Sequence, residues 1–376
     1  MRKTESALVV IVLALLLLGI VMLFSTSSVR ALASFHDSHY FLKRQLLWLL
    51  MALCAGMALT CFDYHYWQKL AVPVAVSSIL LLLLVKGIGA EINGSRRWIR
   101  LGFLSFQPSE FAKLALIIIM SSWMAGTGPR ARTWMQGLCF PLIWIGLFAG
   151  PVILEPDYGT TFLLAVVGMA IMFAGGSRIG HLLIAGTTGA CGFALMIMHN
   201  RLRMERFFAF LWPEKYPDKA YHLIQSKVAF IAGGPFGVGL SNSMQKQFYL
   251  PEAHTDFILA IIGEELGFVA TFLVVLAFIG ILICGLYISF RAPDPFGRLL
   301  GFGITMMTCV QAAFNVGVVT GCLPTKGLPL PFISYGGSSL LVSVAMIGVL
   351  LNVARHCREE HIDEHTTSIK DRAHHF

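Results

Sequence analysis

Residues 250–267 read L-P-E-A-H-T-D-F-I-L-A-I-I-G-E-E-L-G, and the chain then stays apolar to about residue 289. The stretch sets Glu252, His254 and Asp256 at the mouth of an apolar helix and puts Glu264 and Glu265 inside it. That run is longer than a bilayer core of ~30 Å requires, so its first turns lie at the surface or the helix bends. An ionisable side chain at the bilayer centre costs ~2.5–3.5 kcal/mol on insertion scales, so such residues face a polar cavity and mark a functional site. What the other segments bring to this acidic entry decides the function.

The whole chain has the same character. Of its 376 residues, 56% are hydrophobic and 13% charged, against ~25% charged in an ordinary soluble domain. Apolar periodicity and breakers predict ten spans, near residues 7–26, 45–61, 70–86, 109–125, 135–154, 159–175, 179–199, 256–289, 298–321 and 337–354. The expected fold is an all-α, polytopic membrane protein. It is a single transmembrane domain over 1–355, with a long outer loop at 200–255 and a polar cytoplasmic tail at 356–376. A β-barrel is excluded, because its strands would alternate with period two. The first run, Ala7 to Phe24, is longer than the ~7–15-residue core of a secretory signal and reads as an uncleaved span. Eight cysteines lack C-x-x-C or metal-type spacing and read as small core residues.

Ten spans put both termini on one side. A raw count of Lys and Arg favours neither side. The positive-inside rule applies to short loops; leaving out 200–255, it places the termini in the cytoplasm. Basic residues on the outer side, held there against that rule, then suggest an anionic ligand. No feature points to nucleic acid.

Four segments on the outer side carry nearly all the unusual polar residues. In 87–113, Asn93-Gly94 signals a turn and Arg96, Arg97, Trp98 and Arg100 follow it. Arginine grips phosphate oxygens through paired hydrogen bonds, and tryptophan favours the interface. Gln107, Pro108, Ser109 and Glu110 open the fourth span, with Lys113 on the face of Glu110. That pair is either mutual neutralisation or part of a site. Glu155-Pro156-Asp157 forms the second segment. In the third, 200–255, a basic and aromatic stretch from Arg201 to Trp212 reads as an interface helix. Tyr221 to Ile231, with Gln225, Ser226 and Lys227, resumes an amphipathic pattern. Gly233 to Gly239 is neither a P-loop nor a dinucleotide fingerprint, and reads as a turn between two interface helices. The fourth, Leu323 to Ser339, is rich in Pro and Gly and therefore irregular, so it must be buried in protein or line a wet cavity. Lys326, Ser334 and Tyr335 would point into that cavity. The tail histidines, His356, His361, His365, His374 and His375, read as solvated rather than as a metal site. Together the segments describe a cleft for an amphiphile with an anionic headgroup.

The stretches N-G-S-R-R-W-I, F-Q-P-S-E-F-A-K, E-P-D-Y-G-T, Q-K-Q-F-Y-L-P-E-A-H-T-D-F-I-L-A-I-I-G-E-E-L-G and L-P-T-K-G-L-P-L-P-F-I-S-Y-G-G-S-S resemble the SEDS (shape, elongation, division and sporulation) family. The resemblance covers roughly residues 7–355 in order, and its details are similar to the division branch rather than the elongation branch. Glu155 departs from it, because many relatives carry glutamine there. The resemblance implies a peptidoglycan glycosyltransferase that polymerises lipid II at the outer face of the cytoplasmic membrane during septal wall synthesis. Its implied partners are a class B penicillin-binding protein, which supplies the transpeptidase, and other divisome membrane proteins.

On that reading Asp256 is the general base that deprotonates the acceptor sugar hydroxyl, with inversion at the donor carbon. His254 and Glu252 orient it or contact substrate. Arg97, Lys113 and Lys326 are expected to neutralise the pyrophosphate. Trp98, Gln107, Ser109, Gln225, Ser226, Ser334 and Tyr335 are expected to support the substrate. A divalent cation, Mg²⁺ or Mn²⁺, held by Asp157 or Glu110 would share the electrostatic role. Glu264 and Glu265 read as buried-network residues. Two other readings share the intramembrane charges: a lipid II flippase or transporter, and a non-catalytic scaffold for the penicillin-binding protein.

Overall fold

In lipid the backbone groups of an apolar run have no partner but one another, which forces helices. In the computed structural model each of the ten predicted runs is helical. The structure describes residues 1–373 apart from 38, 93–94, 103, 200, 247–249, 251–252 and 325–326. For residues 28–35, 92, 101, 202–203 and 359–373 it describes the backbone alone.

The helices, in chain order, are α1 (Arg2–Phe35), α2 (Tyr40–Cys61), α3 (His65–Lys69), α4 (Ala71–Ile88), α5 (Pro108–Thr127), α6 (Phe140–Leu154), α7 (Tyr158–Ala174), α8 (Ile179–Met198), α9 (Arg201–Leu211), α10 (Pro217–Gly233), α11 (Ile258–Phe290), α12 (Pro295–Val319) and α13 (Gly337–Ala373). Among the described residues nine helices are long and apolar enough to cross a membrane, and α7 is apolar but only 17 residues long. The cysteines are all free. One small departure from an all-helical chain lies between α4 and α5. There β1 (Ala90–Ile92), β2 (Ser95–Leu101) and β3 (Leu104–Phe106) form an antiparallel meander in the order β1-β2-β3. The predicted Asn93-Gly94 turn falls outside the described residues.

Two helices form the centre. The most apolar part of α13 is 78% buried and that of α5 67%, against 11% for α8, which stands at the edge. Small residues let the central helices approach closely. A Cβ on Gly348 of α13 would strike the Gly56 backbone of α2, and one on Gly337 would strike the Trp48 ring. α13 also runs on past the membrane to Ala373, so the predicted polar tail continues a packed helix, with Cys357 buried.

The predicted bend in the eighth span is a break at Gly267, where φ is 80° and ψ −176°. A break in a membrane helix leaves carbonyl and amide groups to satisfy. The Gly-rich turn after α10 satisfies them: Val238 N donates to Glu264 O (2.9 Å) and Gly239 N to Glu265 O (3.0 Å). In return Phe268 N donates to Gly234 O (2.9 Å) and Val269 N to Pro235 O (3.2 Å). This turn joins α10 to irregular chain among the described residues, not to a second interface helix, and its glycines permit the close approach. Both carboxylates above the break are buried and engaged. Glu264 accepts from Ser243 Oγ and from Met244 N (2.9 Å). Glu265 accepts from Ser25 Oγ (2.7 Å) and pairs with Lys246 Nζ (2.9 Å), which ties α1 and the outer loop to α11.

The conformation at Gly267 belongs to a region that residues with a Cβ avoid at a cost of ~1–3 kcal/mol, and a Cβ there would also meet the Pro235–Gly237 backbone. Gly267→Ala is expected to lower the unfolding temperature of the detergent-solubilised protein by several degrees. Gly126→Ala, where a Cβ meets nothing within 4 Å, should leave it unchanged or raise it.

Candidate functional site

The turn 253–257 precedes α11, and Asp256 lies in this turn rather than in the helix, half-buried. Three consecutive carbonyls of the turn are held from elsewhere in the chain. Tyr335 N donates to His254 O (3.0 Å), Ser334 Oγ to Thr255 O (2.6 Å) and Asn315 Nδ2 to Asp256 O (2.8 Å). The irregular stretch predicted before α13 wraps around this turn. Asn315 Nδ2 also donates to Leu328 O (2.7 Å), Gln311 Nε2 to Pro329 O (2.8 Å) and Leu330 N to Ser334 Oγ (2.8 Å). Gly327 lies so close that a Cβ on it would collide with the Asp256 carboxylate. The ring of His254 packs against Phe41 and Tyr335, with centroids 5.2 and 5.8 Å apart.

Behind this turn lies a buried ion pair. Lys113 Nζ donates to both oxygens of Glu110 (2.8 and 2.9 Å) and to Gln311 Oε1 (2.9 Å), with the Lys113 side chain wholly buried. Gln311 and Asn315 are one turn apart on α12 and hold the adjacent carbonyls of Pro329 and Leu328, so the ion pair reaches the loop beside the Asp256 turn through Gln311. Both amides were missed from sequence. Their signal was two amides spaced four residues apart in an otherwise apolar helix, which points both to one face.

The second segment sits nearby. A Cβ on Gly159, in the first turn of α7, would touch the Leu328 side chain. Asp157 caps α7, accepting from Thr160 N (3.2 Å) and Thr160 Oγ1 (2.9 Å). Arg97, on β2, donates from Nε to Glu155 O (2.6 Å). Trp98 is half-buried on the same strand. Gln107 stands before α5 with no side-chain cap bond, and Ser109 is fully buried with no hydroxyl partner among the described residues.

The remaining expectations fare unevenly. Ser226 is fully buried and donates to Val319 O (2.6 Å), so it fastens α10 to the end of α12 rather than facing a ligand. Gln225 is half-buried on α10. Glu252 and Lys326 lie outside the described residues. Asp157 and Glu110 do not fit a metal cage: the first is engaged by Thr160, the second is neutralised by Lys113. Among the described residues neither belongs to a group of three ligands able to hold an ion.

Residues 6–359 match the family described as cell cycle protein, FtsW/RodA/SpoVE. The chain is 43% identical over 357 residues to a probable peptidoglycan glycosyltransferase FtsW of Trichlorobacter lovleyi, covering 94% of each chain. It is 40% identical to the stage V sporulation protein E of Bacillus subtilis, covering 95% of this chain and 99% of that one. A chain of a peptidoglycan synthase complex, studied for its structural coordination of polymerization and crosslinking, superposes with a TM-score of 0.78 at 30% identity, over 93% of this chain and 97% of that one. The rod shape determining protein RodA of Thermus thermophilus superposes with a TM-score of 0.70 at 29% identity, over 93% and 95%.

Glu155 is 2% exposed, and both of its carboxylate oxygens lack a hydrogen-bond partner among the described residues. Burial, reinforced by the charge of Asp157, pushes its carboxyl up to about 8, with Arg97 and Lys86 pulling weakly the other way. A carboxyl raised in the fold stabilises it while protonated. That contribution is complete below the unfolded value near 4.5 and is lost as pH rises through about 8. The unfolding temperature of the wild type should therefore fall between pH 5 and pH 9, and Glu155→Gln should remove part of that fall. Parallel melts of the two proteins across this range check it.

Proposed function

This chain belongs to the FtsW/RodA/SpoVE family of cell cycle proteins, and from that premise we propose the chemistry that its Asp256 turn performs. The protein is a peptidoglycan glycosyltransferase embedded in the membrane by its helices. Its substrate on this reading is lipid II, whose polyprenyl chain lies in the bilayer and whose pyrophosphate and sugars reach the site. Asp256 takes the proton from the acceptor 4-hydroxyl as that oxygen attacks the donor's anomeric carbon. The bond from that carbon to the pyrophosphate breaks, and undecaprenyl pyrophosphate leaves with the electron pair. An α-linked donor gives a β-linked product, so one base and a stabilised leaving group suffice.

The observation that carries this reading is the Asp256 turn itself. Its carbonyls are held by Tyr335, Ser334 and Asn315, so the carboxylate is positioned before substrate arrives, and it stays half-exposed for a ligand. Preorganised groups of this kind need no rearrangement during reaction. Arg97 supplies positive charge toward the pyrophosphate, and Lys326 adds to it. Lys113 acts at one remove, through Gln311. His254 and Tyr335 flank the base, while Trp98, Gln107 and Gln225 border the path of the sugars and the buried Ser109 supports only the start of α5.

A class B penicillin-binding protein is the proposed partner. The superposition on a chain from a synthase complex supports it. Other divisome membrane proteins complete the assembly, at the septum of the cytoplasmic membrane, with both termini inside. General-base assistance is worth ~10²–10⁴ in rate, so Asp256→Asn, purified with the partner and given labelled lipid II, should lose polymerisation by about that factor while still binding lipid II. Equal polymerisation by the variant sinks the base assignment. No polymerisation by either protein, with lipid II crossing liposome membranes, replaces the polymerase with a flippase. Neither activity, with stimulation of the partner's transpeptidase, leaves a scaffold.

A further inference from the structure

At the end of the bundle that carries the chain termini, far along α2, α12 and α13 from the Asp256 turn, the structure assembles a second constellation. Asn352 of α13 is 2% exposed and clamps the turn between α2 and α3. Its Nδ2 donates to Thr60 O (2.9 Å) and its Oδ1 accepts from Tyr64 N (2.9 Å). This fixes Asp63 and His65 on one side of the clamp. Four residues on, one turn along the same helix face, stands His356.

We propose that Asp63, His65 and His356 form a binding site for one divalent transition-metal ion of the zinc class. Their ligand atoms lie within 4.8 Å of one another. His65 Nδ1 is 2.7 Å from Asp63 Oδ1 and His356 Nε2 is 3.6 Å from the same oxygen. An ion with bonds of ~2.0–2.1 Å in a tetrahedron separates neighbouring ligand atoms by ~3.3 Å, and the two observed distances bracket that value. Small rotations of the rings admit the ion.

The outer nitrogens of the rings make the case stronger. A metal-binding histidine usually turns its other ring nitrogen to an acceptor, which fixes the tautomer. His356 Nδ1 lies 3.0 Å from Asn352 O, so Nε2 is left to face Asp63. His65 Nε2 lies 3.6 Å from Asp294 Oδ1. Asp294 is itself held by the Tyr64 hydroxyl and by Gly297 N (2.9 Å) at the start of α12. Both inner nitrogens thus converge on one carboxylate; the outer nitrogen of His356 has a carbonyl acceptor, and that of His65 has the Asp294 carboxylate 3.6 Å away, at ion-pair distance. Two imidazoles and a carboxylate suit zinc and its neighbours rather than Mg²⁺ or Ca²⁺, which take oxygen. Asp63 and His65 are 42% and 43% exposed, so an ion can enter. The fourth position is left to water. The ion would clasp the α2–α3 turn to α13, a structural role separate from the polymerase chemistry.

The test uses the full chain purified without a polyhistidine tag, freed of metal by chelator, and titrated with Zn²⁺ alone against a chromophoric competitor. Histidines at 361, 365, 374 and 375 offer rival ligands, so the decisive pair is His356→Asn with those four intact, and the wild-type site with all four changed to Asn. One Zn²⁺ per chain is expected in the second protein. The first should lose that ion with an affinity at least ~10-fold lower, and Asp294→Asn should weaken binding by ~10–100-fold, the usual cost of removing an outer partner. A Zn²⁺-dependent rise in unfolding temperature should follow the same order, since an ion that binds only the folded chain stabilises it. Binding that follows the four tail histidines, or wild-type chain that takes up no Zn²⁺, overturns the proposal and leaves a hydrogen-bonded Asp–His cluster.

Discussion

The side-chain amide of Asn315 holds together the Asp256 turn and the loop before α13, the proposed reactive end of this molecule. Its one nitrogen donates to Asp256 O and to Leu328 O, and these carbonyls belong to the two irregular segments that meet at membrane depth. A carbonyl left unpaired there costs free energy comparable to a lost hydrogen bond, with no water to repair it. The chain can therefore be irregular at this depth only where a helix carries an amide to receive it. Gln311, one turn away, does the same for Pro329. The geometry of the Asp256 turn and the satisfaction of its backbone are here one problem with one solution.

Charge follows the same economy. Lys113 and Glu110 are buried together, as are Lys246 and Glu265. A buried pair is weak evidence for stability, yet breaking one by removing a single partner is costly, ~3–5 kcal/mol. These pairs therefore lock positions: the first holds Lys113 where it also donates to Gln311 of α12, behind the Asp256 turn, and the second sets the outer loop and α1 against α11 above the Gly267 break. Glu155 differs: among the described residues no cation meets its carboxyl oxygens, and burial raises its affinity for a proton.

The helices were legible because lipid allows an apolar run little else, and the breakers Gly, Pro and Asn-Gly stand where the spans end. The irregular stretch before α13 was legible from its prolines, and the network role of Glu264 and Glu265 from their place inside an apolar helix. What stayed hidden depended on partners far away in sequence. Nothing local to Ser226 says that its hydroxyl meets Val319, and nothing local to His356 says that α13 carries it to Asp63. The strands between α4 and α5 are too short to show a period. The place of Asp256 just ahead of the helix was legible, but what keeps it there was hidden for a related reason. The apolar pattern begins at Phe257, but the carbonyls before it are taken by α12 and by the loop before α13, which hold the turn out of helical form.

α7 has a consequence for the bilayer itself. At ~1.5 Å per residue its 17 residues span ~25 Å, short of a hydrocarbon core of ~30 Å. A short crossing draws the surrounding lipid thinner by a few ångströms. The end of α7 that Asp157 caps lies beside Leu328, so on the proposed function such thinning would fall next to the Asp256 turn. On that same proposal, a polyprenyl-linked headgroup arriving by lateral diffusion would meet a lowered rim there, and would need less lifting out of the bilayer to bring its phosphates level with Asp256.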